Sequence, residues 1–326
     1  MDSFGLWYQS RAESSNLKVD FHVNLWDFTK KKDEGNFFVD FGIKISGFKS
    51  IDKIKFLIPF KIEDKEIIDL SRVLKEDEVQ IIFNDSECLY KQYKGIYNGM
   101  VKGEENVIFL PIKENNVFLK NISLKNDNVH YLTIDFSGYK DLPEETTAVY
   151  FRFRIKSANL RTEMLCTLKE KNRYLESAFQ QREVMDFKIN NVRNISKFII
   201  KNCADENFQL IKLNAIHIFL MVPSSYEVTI WDNFSECRKL EEDSWKNYLL
   251  GNVDFLKEHK SVSAYHWKKK ASPNSEDSIE EFSQLIRIEH KATNSKMLTA
   301  YCFVVVGLGA LGSLIASGII ELLKLI

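Results

Sequence analysis

From Met297 to Ile320 the chain carries no charged residue. A helix that crosses a membrane needs about 20 apolar residues to match a hydrocarbon core about 30 Å thick, and this run is longer. Inside a soluble protein it would have to be buried on every side for about six turns. The run therefore predicts one transmembrane helix over residues 297–320. His290, Lys291 and Lys296 precede it, against Glu321 and Lys324 beyond it. That bias places the preceding body in the cytoplasm, because positive flanks stay on the cytoplasmic side. Tyr301 falls where an amphipathic ring suits the interface.

Small residues in this run are ordered. Gly309, Gly312, Ser313, Ala316 and Ser317 follow helical spacing and make one stripe, with Leu308, Leu311, Ile315 and Ile319 away from it. Such stripes let helix backbones approach closely in lipid. With a single span in the chain, the expected partner is a second copy or another membrane protein, so a homo-oligomer through the tail is expected. The same residues contain Gly307, Gly309 and Gly312 in a GxGxxG pattern after an apolar run. A dinucleotide site also needs a following strand and an acid about 20 residues on. Fourteen residues follow Gly312 in this sequence, so no cofactor is expected there.

The body, by contrast, reads as β-rich. Val19, Phe21, Val23 and Leu25 alternate with polar residues, the period of a half-buried strand. The charged run Lys30–Glu34 and Gly35-Asn36 predict a hairpin tip, with 37–45 as the return strand. Further strands are expected at 53–60, 79–83, 106–112, 117–123, 129–136 and 147–156. A short amphipathic helix is expected over 63–74, and a glycine- and tyrosine-rich loop over 84–106 that could rim a ligand site. Residues 157–182 have helical composition and suggest a boundary. The expected organisation is a β-rich part over 1–156, a second β-rich part with helices over 157–290, either separate from the first or continuous with it, and the membrane helix. In the second part strands are expected at 184–192, 195–201, 208–222, 226–231, 262–270 and 282–290, with a helix over 240–250. Many short strands argue for a sandwich- or barrel-like fold.

The strand 147–156 places Phe151, Phe153 and Ile155 on one face and Arg152, Arg154 and Lys156 on the other. Three cations in a row can grip a phosphate or carboxylate, since guanidinium forks bond such groups in pairs. They form the candidate site for a small anionic ligand. A plain solvent face paired with cross-strand acids is the alternative.

Little else suggests chemistry. The six histidines show no metal-ligand spacing, and there is no nucleophile elbow or phosphate-binding loop. No metal, cofactor or enzymatic reaction is expected. His217, inside an apolar run, reads as a core or edge histidine. The formal net charge is −1, which gives no field for duplex nucleic acid. Five scattered cysteines without a CxxC pair suit a reducing compartment. The N-terminal MDSFGLWYQSRAESS lacks the basic and apolar regions of a secretory signal.

The leading expectation is a tail-anchored membrane protein whose cytosolic β-rich domain binds a ligand or partner protein. The alternative is a membrane-disrupting effector, in which the body senses an anionic, nucleotide-like signal, oligomerises and gathers its tails into a pore. That layout of sensor and single span is similar to membrane effectors of bacterial antiphage and stress systems. A membrane-tethered hydrolase is a third reading that lacks a site.

Overall fold

The computed structural model describes residues 2–10, 17–28, 37–83, 87–93, 97–112, 117–123, 128–139, 142–168, 180–230, 236–240, 245, 247–249, 261–272, 278–291 and 295–324. The chain opens with strands β1 (Gly5–Ser10), β2 (Lys18–Asp27), β3 (Phe37–Ser46), β4 (Ile51–Ile58) and β5 (Ile67–Asp69), then helix α1 (Glu76–Phe83). Strands β6 (Leu89–Tyr93), β7 (Tyr97–Lys102), β8 (Glu105–Phe109), β9 (Val117–Ser123), β10 (Asn128–Asp135) and β11 (Ala148–Ile155) follow. Next come α2 (Leu160–Met164), β12 (Leu165–Thr167), β13 (Gln180–Ile189), α3 (Lys197–Asp205), β14 (Gln209–Leu210) and β15 (Ala215–Pro223). The chain ends with β16 (Glu227–Ile230), β17 (Glu236–Lys239), β18 (Val262–Lys270), β19 (Phe282–Lys291) and helix α4 (Ser295–Leu323).

These strands form three sheets. The largest has the order β17-β18-β15-β2-β3-β11-β8-β7-β6, with β5 also paired to β11. A second has the order β14-β1-β4-β10-β9, and a third β12-β13-β19-β16. The three converge on Phe4, whose ring lies 5.1 Å from Phe41 of β3, 5.7 Å from Phe56 of β4 and 5.5 Å from Phe187 of β13. One face of the large sheet, with Val19, Phe21, Val23 and Leu25, packs into this main core. Its opposite face is also covered, by Val79 and Ile82 of α1 and by Trp245, Tyr248 and Leu249. The predominantly β fold expected from the sequence is thus present. The strands of the large sheet, however, are buried on both sides where alternation alone suggests one. Strands β2 and β15 run parallel, with His217 beside His22, and β1 pairs with β14. Residues before and after 157 therefore share sheets and core.

Several local expectations are corrected. Residues 79–83 belong to α1 and are not a strand. Glu76, Asp77 and Glu78 occupy its first turn, where acids are favoured, and Val79 and Ile82 point the same way. Residues 195–201 enter α3, whose Ile199 and Cys203 pack with Ile195 on Trp7, Leu57 and Tyr131 of the second sheet. Short apolar runs do not distinguish the two periods. Residues 63–74 hold only a 3-10 turn at Asp64–Glu66 before β5. There the Asp69 carboxylate accepts from the backbone N–H of Ser71 (2.8 Å) and Ile112 (2.6 Å), which redirects the chain. The stretch 84–106 is mostly the β6-β7 hairpin and the start of β8, and the helical part of 157–168 is confined to α2. The Lys30–Glu34 tip, residues 169–179 and most of 240–250 lie outside the described residues.

Candidate functional site

Arg152 and Arg154 do not form a solvent-facing anion grip. Both are fully buried. The alternation that separates them from Phe151 and Phe153 is present, but their face of the sheet is roofed over and becomes a second interior. Arg154 donates to both carboxylate oxygens of Asp40, from Nε at 2.6 Å and Nη2 at 3.1 Å. Asp40 also accepts from Trp26 Nε1 (2.9 Å) and the Tyr248 hydroxyl (2.8 Å). Arg152 donates from Nε to the Tyr248 hydroxyl (2.8 Å) and from Nη1 to the Tyr150 hydroxyl (3.1 Å). Arg154 thus has the counter-charge and hydrogen-bond partners that a buried charge requires, whereas Arg152 Nη2 has no partner among the described residues. Lys156, at the end of this row, is half-buried, and burial followed by Arg154 lowers the pKa of its ammonium. Gly42 makes the layer possible. A Cβ there would lie 2.1 Å from the Tyr150 hydroxyl and 2.9 Å from Arg152 Nη1, so any larger residue would displace them.

The same face of the sheet opens, beyond this layer, into a cavity of about 910 Å³. Strand period two sends Asp20 and His22 of β2, Lys44 of β3, and Ala215 and His217 of β15 to that side. Six lysines line it, Lys18, Lys44, Lys102, Lys212, Lys268 and Lys270, against the carboxylates of Asp20 and Glu105. Lys44 sits between those acids, 2.7 Å from Glu105 and 3.7 Å from Asp20. Lys212 pairs with Glu280 at 2.8 Å. The pKa of Lys268 is lowered by burial, then by the charges of Lys270 and Lys102. Like charges are thus crowded at one side of the opening.

Histidines occupy the floor. His22 and His217 are buried side by side, with ring centroids 5.1 Å apart. His22 Nδ1 lies 3.2 Å from the Tyr150 hydroxyl, and His217 Nδ1 lies 3.2 Å from Nε2 of His266. The pKa of His22 is held well below 6.5 by burial, then by His217, Arg152 and Lys44. Burial, then His266 and nearby lysines, bring His217 to about 3. Burial outweighs the attraction of Glu236 and brings His266 to about 4. The floor is therefore neutral beneath a positive rim. Among the described residues no group of three or more His, Cys, Asp or Glu side chains has the geometry to hold a metal ion.

Arg152 lies on β11 two residues along from Tyr150, the residue opposite Lys44 of the cavity lining. The Lys268-Lys269-Lys270 run at the end of β18 was a signal for the rim. The meeting of His22 with His217 depends on a parallel register between strands almost two hundred residues apart (|i−j| = 195 from their numbers), which no local pattern encodes.

Helix α4 stands apart from this chemistry. Leu298–Ile320 has a mean hydropathy of 2.3, with none of it buried. A continuous helix puts Gly309, Gly312, Ser313, Ala316 and Ser317 on one side. Gly309 and Gly312 face open space, and Ser317 returns its hydroxyl to the Ser313 carbonyl at 2.9 Å, the usual way a helix hides a serine from lipid. Fold and cavity together define a β-rich protein with a basic cavity and one helix long and apolar enough to cross a membrane. Comparison with protein-family models and with curated proteins finds no match.

Proposed function

We propose that this protein is a membrane-held receptor, anchored by Leu298–Ile320 with its body in the cytoplasm, that binds a small polyanionic ligand in the lysine-rimmed cavity. The cavity lining of six lysines against two carboxylates, with Lys102, Lys268 and Lys270 repelling one another at one side, carries this reading. A bound anion would relieve that repulsion and form charge-assisted hydrogen bonds with the ammonium groups. The buried arginines contribute through the fold, since their counter-charge and hydroxyl partners are already supplied by the protein.

Titration of the full-length protein in lipid nanodiscs with inorganic tripolyphosphate tests the binding half. Saturable binding that weakens with added salt is expected, and it should be lost in Lys268→Glu/Lys270→Glu. Absence of binding at low salt would overturn the reading. The anchoring half is tested by alkaline extraction of membranes: the full chain should stay in the membrane fraction, and a chain lacking 298–320 should leave it.

A second reading, the pore- or lesion-forming effector, is favoured by the exposed stripe from Gly309 to Ser317. Close packing of several tails along that stripe would follow ligand binding by the bodies. On this reading induced expression with a ligand present depolarises cells, and Ser313→Leu prevents it. Harmless expression under every such condition would remove it.

A further inference from the structure

The hydrogen bonds beneath the cavity fix where the protons of its two floor histidines lie. A neutral imidazole has one donor and one acceptor nitrogen. Arg152 is a donor only, so at 3.1 Å its Nη1 gives a hydrogen to the Tyr150 oxygen. The phenolic hydrogen is then available to His22 Nδ1 at 3.2 Å. If His22 donated instead, that buried hydroxyl hydrogen would lack an acceptor among the described residues, which is unfavourable for a buried donor. His22 Nδ1 is therefore the acceptor, and its proton is on Nε2.

The second ring has the opposite polarity. A carboxylate oxygen of Glu236 lies 3.9 Å from His266 Nδ1, which favours the proton at that nitrogen. His266 Nε2 then accepts from His217 Nδ1 at 3.2 Å. His217 is left with a lone pair on Nε2. Both rings line the cavity, and among the described residues neither Nε2 has a hydrogen-bond partner. Burial keeps both rings neutral.

We propose that this donor and acceptor, adjacent on the cavity floor, read the hydrogen-bonding edge of a nucleobase, and that the ligand is a nucleotide whose phosphates meet Lys102, Lys268 and Lys270. The inference rests on the anionic-ligand reading above. A nucleobase offers an acceptor and a donor side by side on one edge, which suits His22 Nε2–H and the His217 Nε2 lone pair. Inorganic polyphosphate offers no such edge and would leave both nitrogens without a ligand partner. The site would then discriminate by the unpaired polar groups that a wrong ligand leaves behind. Arg152 and Tyr150 act here as positioning residues, because they set the His22 tautomer.

The test compares ATP, GTP, CTP and UTP with inorganic tripolyphosphate by calorimetry on the full-length protein in nanodiscs. At least one nucleotide should bind about 10-fold more tightly than tripolyphosphate, the margin of one well-made hydrogen-bonded contact. In His217→Phe that margin should disappear while tripolyphosphate affinity is retained. Tyr150→Phe, which removes the phenolic hydrogen and keeps the ring, should narrow it. If tripolyphosphate binds as tightly as all four nucleotides, the nucleotide inference fails and the anion site stands. If none of the five binds, both fail. The wild-type comparison decides the matter even if a variant does not fold.

Discussion

Asp40 accepts four hydrogen bonds, two from Arg154 and one each from Trp26 and Tyr248. It supplies the carboxylate in a layer that also contains Arg152, so its loss leaves buried positive charge without compensation. Asp40→Asn should cost about 3–5 kcal/mol of stability, the range for breaking a buried pair by removing one partner. Chemical denaturation of the full chain measures it, and Asp40→Asn/Arg154→Met should recover part of the loss. Little change in the single variant would contradict the role of Asp40 as the counter-charge. The histidines give a second residue-scale expectation. His217 and His266 titrate at about 3 and about 4 in the fold, below the ordinary value of 6.5, so the unfolded chain binds more protons in that range. Their contribution to stability is full above pH 6.5 and is lost as pH falls toward those values. The slope is about 1.4 kcal/mol per pH unit for each histidine. Glu183, lowered to about 2 by hydrogen bonds and charge from His290 and Arg161 against the cost of burial, acts in the same direction: its stabilisation is lost as pH falls from 4.5 toward 2. Acid midpoints of His217→Phe and the parent chain, followed by circular dichroism, should differ, with the variant less sensitive between pH 6 and 4.

At the scale of elements, alternation made β2, β3, β11, β15 and β18 legible, and the uncharged run made α4 legible. It did not reveal which faces of the large sheet are covered, because a roof built from α1 and from Trp245 to Leu249 is a tertiary event. For that reason alternation alone puts the arginines of β11 on a solvent face, whereas both are buried. Helices α1 and α3 pass for strands in the sequence because each offers fewer than three turns of pattern. Strand β19, which leads into α4 after Lys291, is held to the body through β13 and a buried ionic cluster. Arg161 bonds Glu183 at 2.8 and 2.5 Å and Asp27 at 3.2 Å through two nitrogens, and His290 of β19 lies 3.4 Å from Glu183. Arg161→Ala would leave two buried carboxylates facing each other's charge and should cost about 3–5 kcal/mol. Hydrogen exchange should show the loss first in β13 and β19. Uniform destabilisation across all three sheets would contradict a local tethering role. Within α4, Gly312→Leu should leave the chain in the membrane fraction on extraction and reduce crosslinking between copies, because bulk on the stripe blocks close approach without shortening the span or making it less apolar. Unchanged crosslinking would assign α4 to anchoring alone.

Across the whole molecule, three sheets meeting on Phe4 build a body whose largest sheet has two interiors. One is apolar. The other grades from the Asp40–Arg154 layer through neutral histidines to the lysine rim. The proposed function needs that gradient: a fixed charge layer orients the histidines, and the rim draws in an anion. It also couples ligand to stability, since a ligand that binds the folded chain alone raises its melting temperature by mass action. The most direct measurement is thermal unfolding of the full-length protein in nanodiscs, with and without inorganic tripolyphosphate. The account predicts a rise in melting temperature for the parent chain that grows with ligand concentration and is absent in Lys268→Glu/Lys270→Glu. An unchanged melting temperature at saturating tripolyphosphate, or an equal rise in the lysine variant, would contradict it.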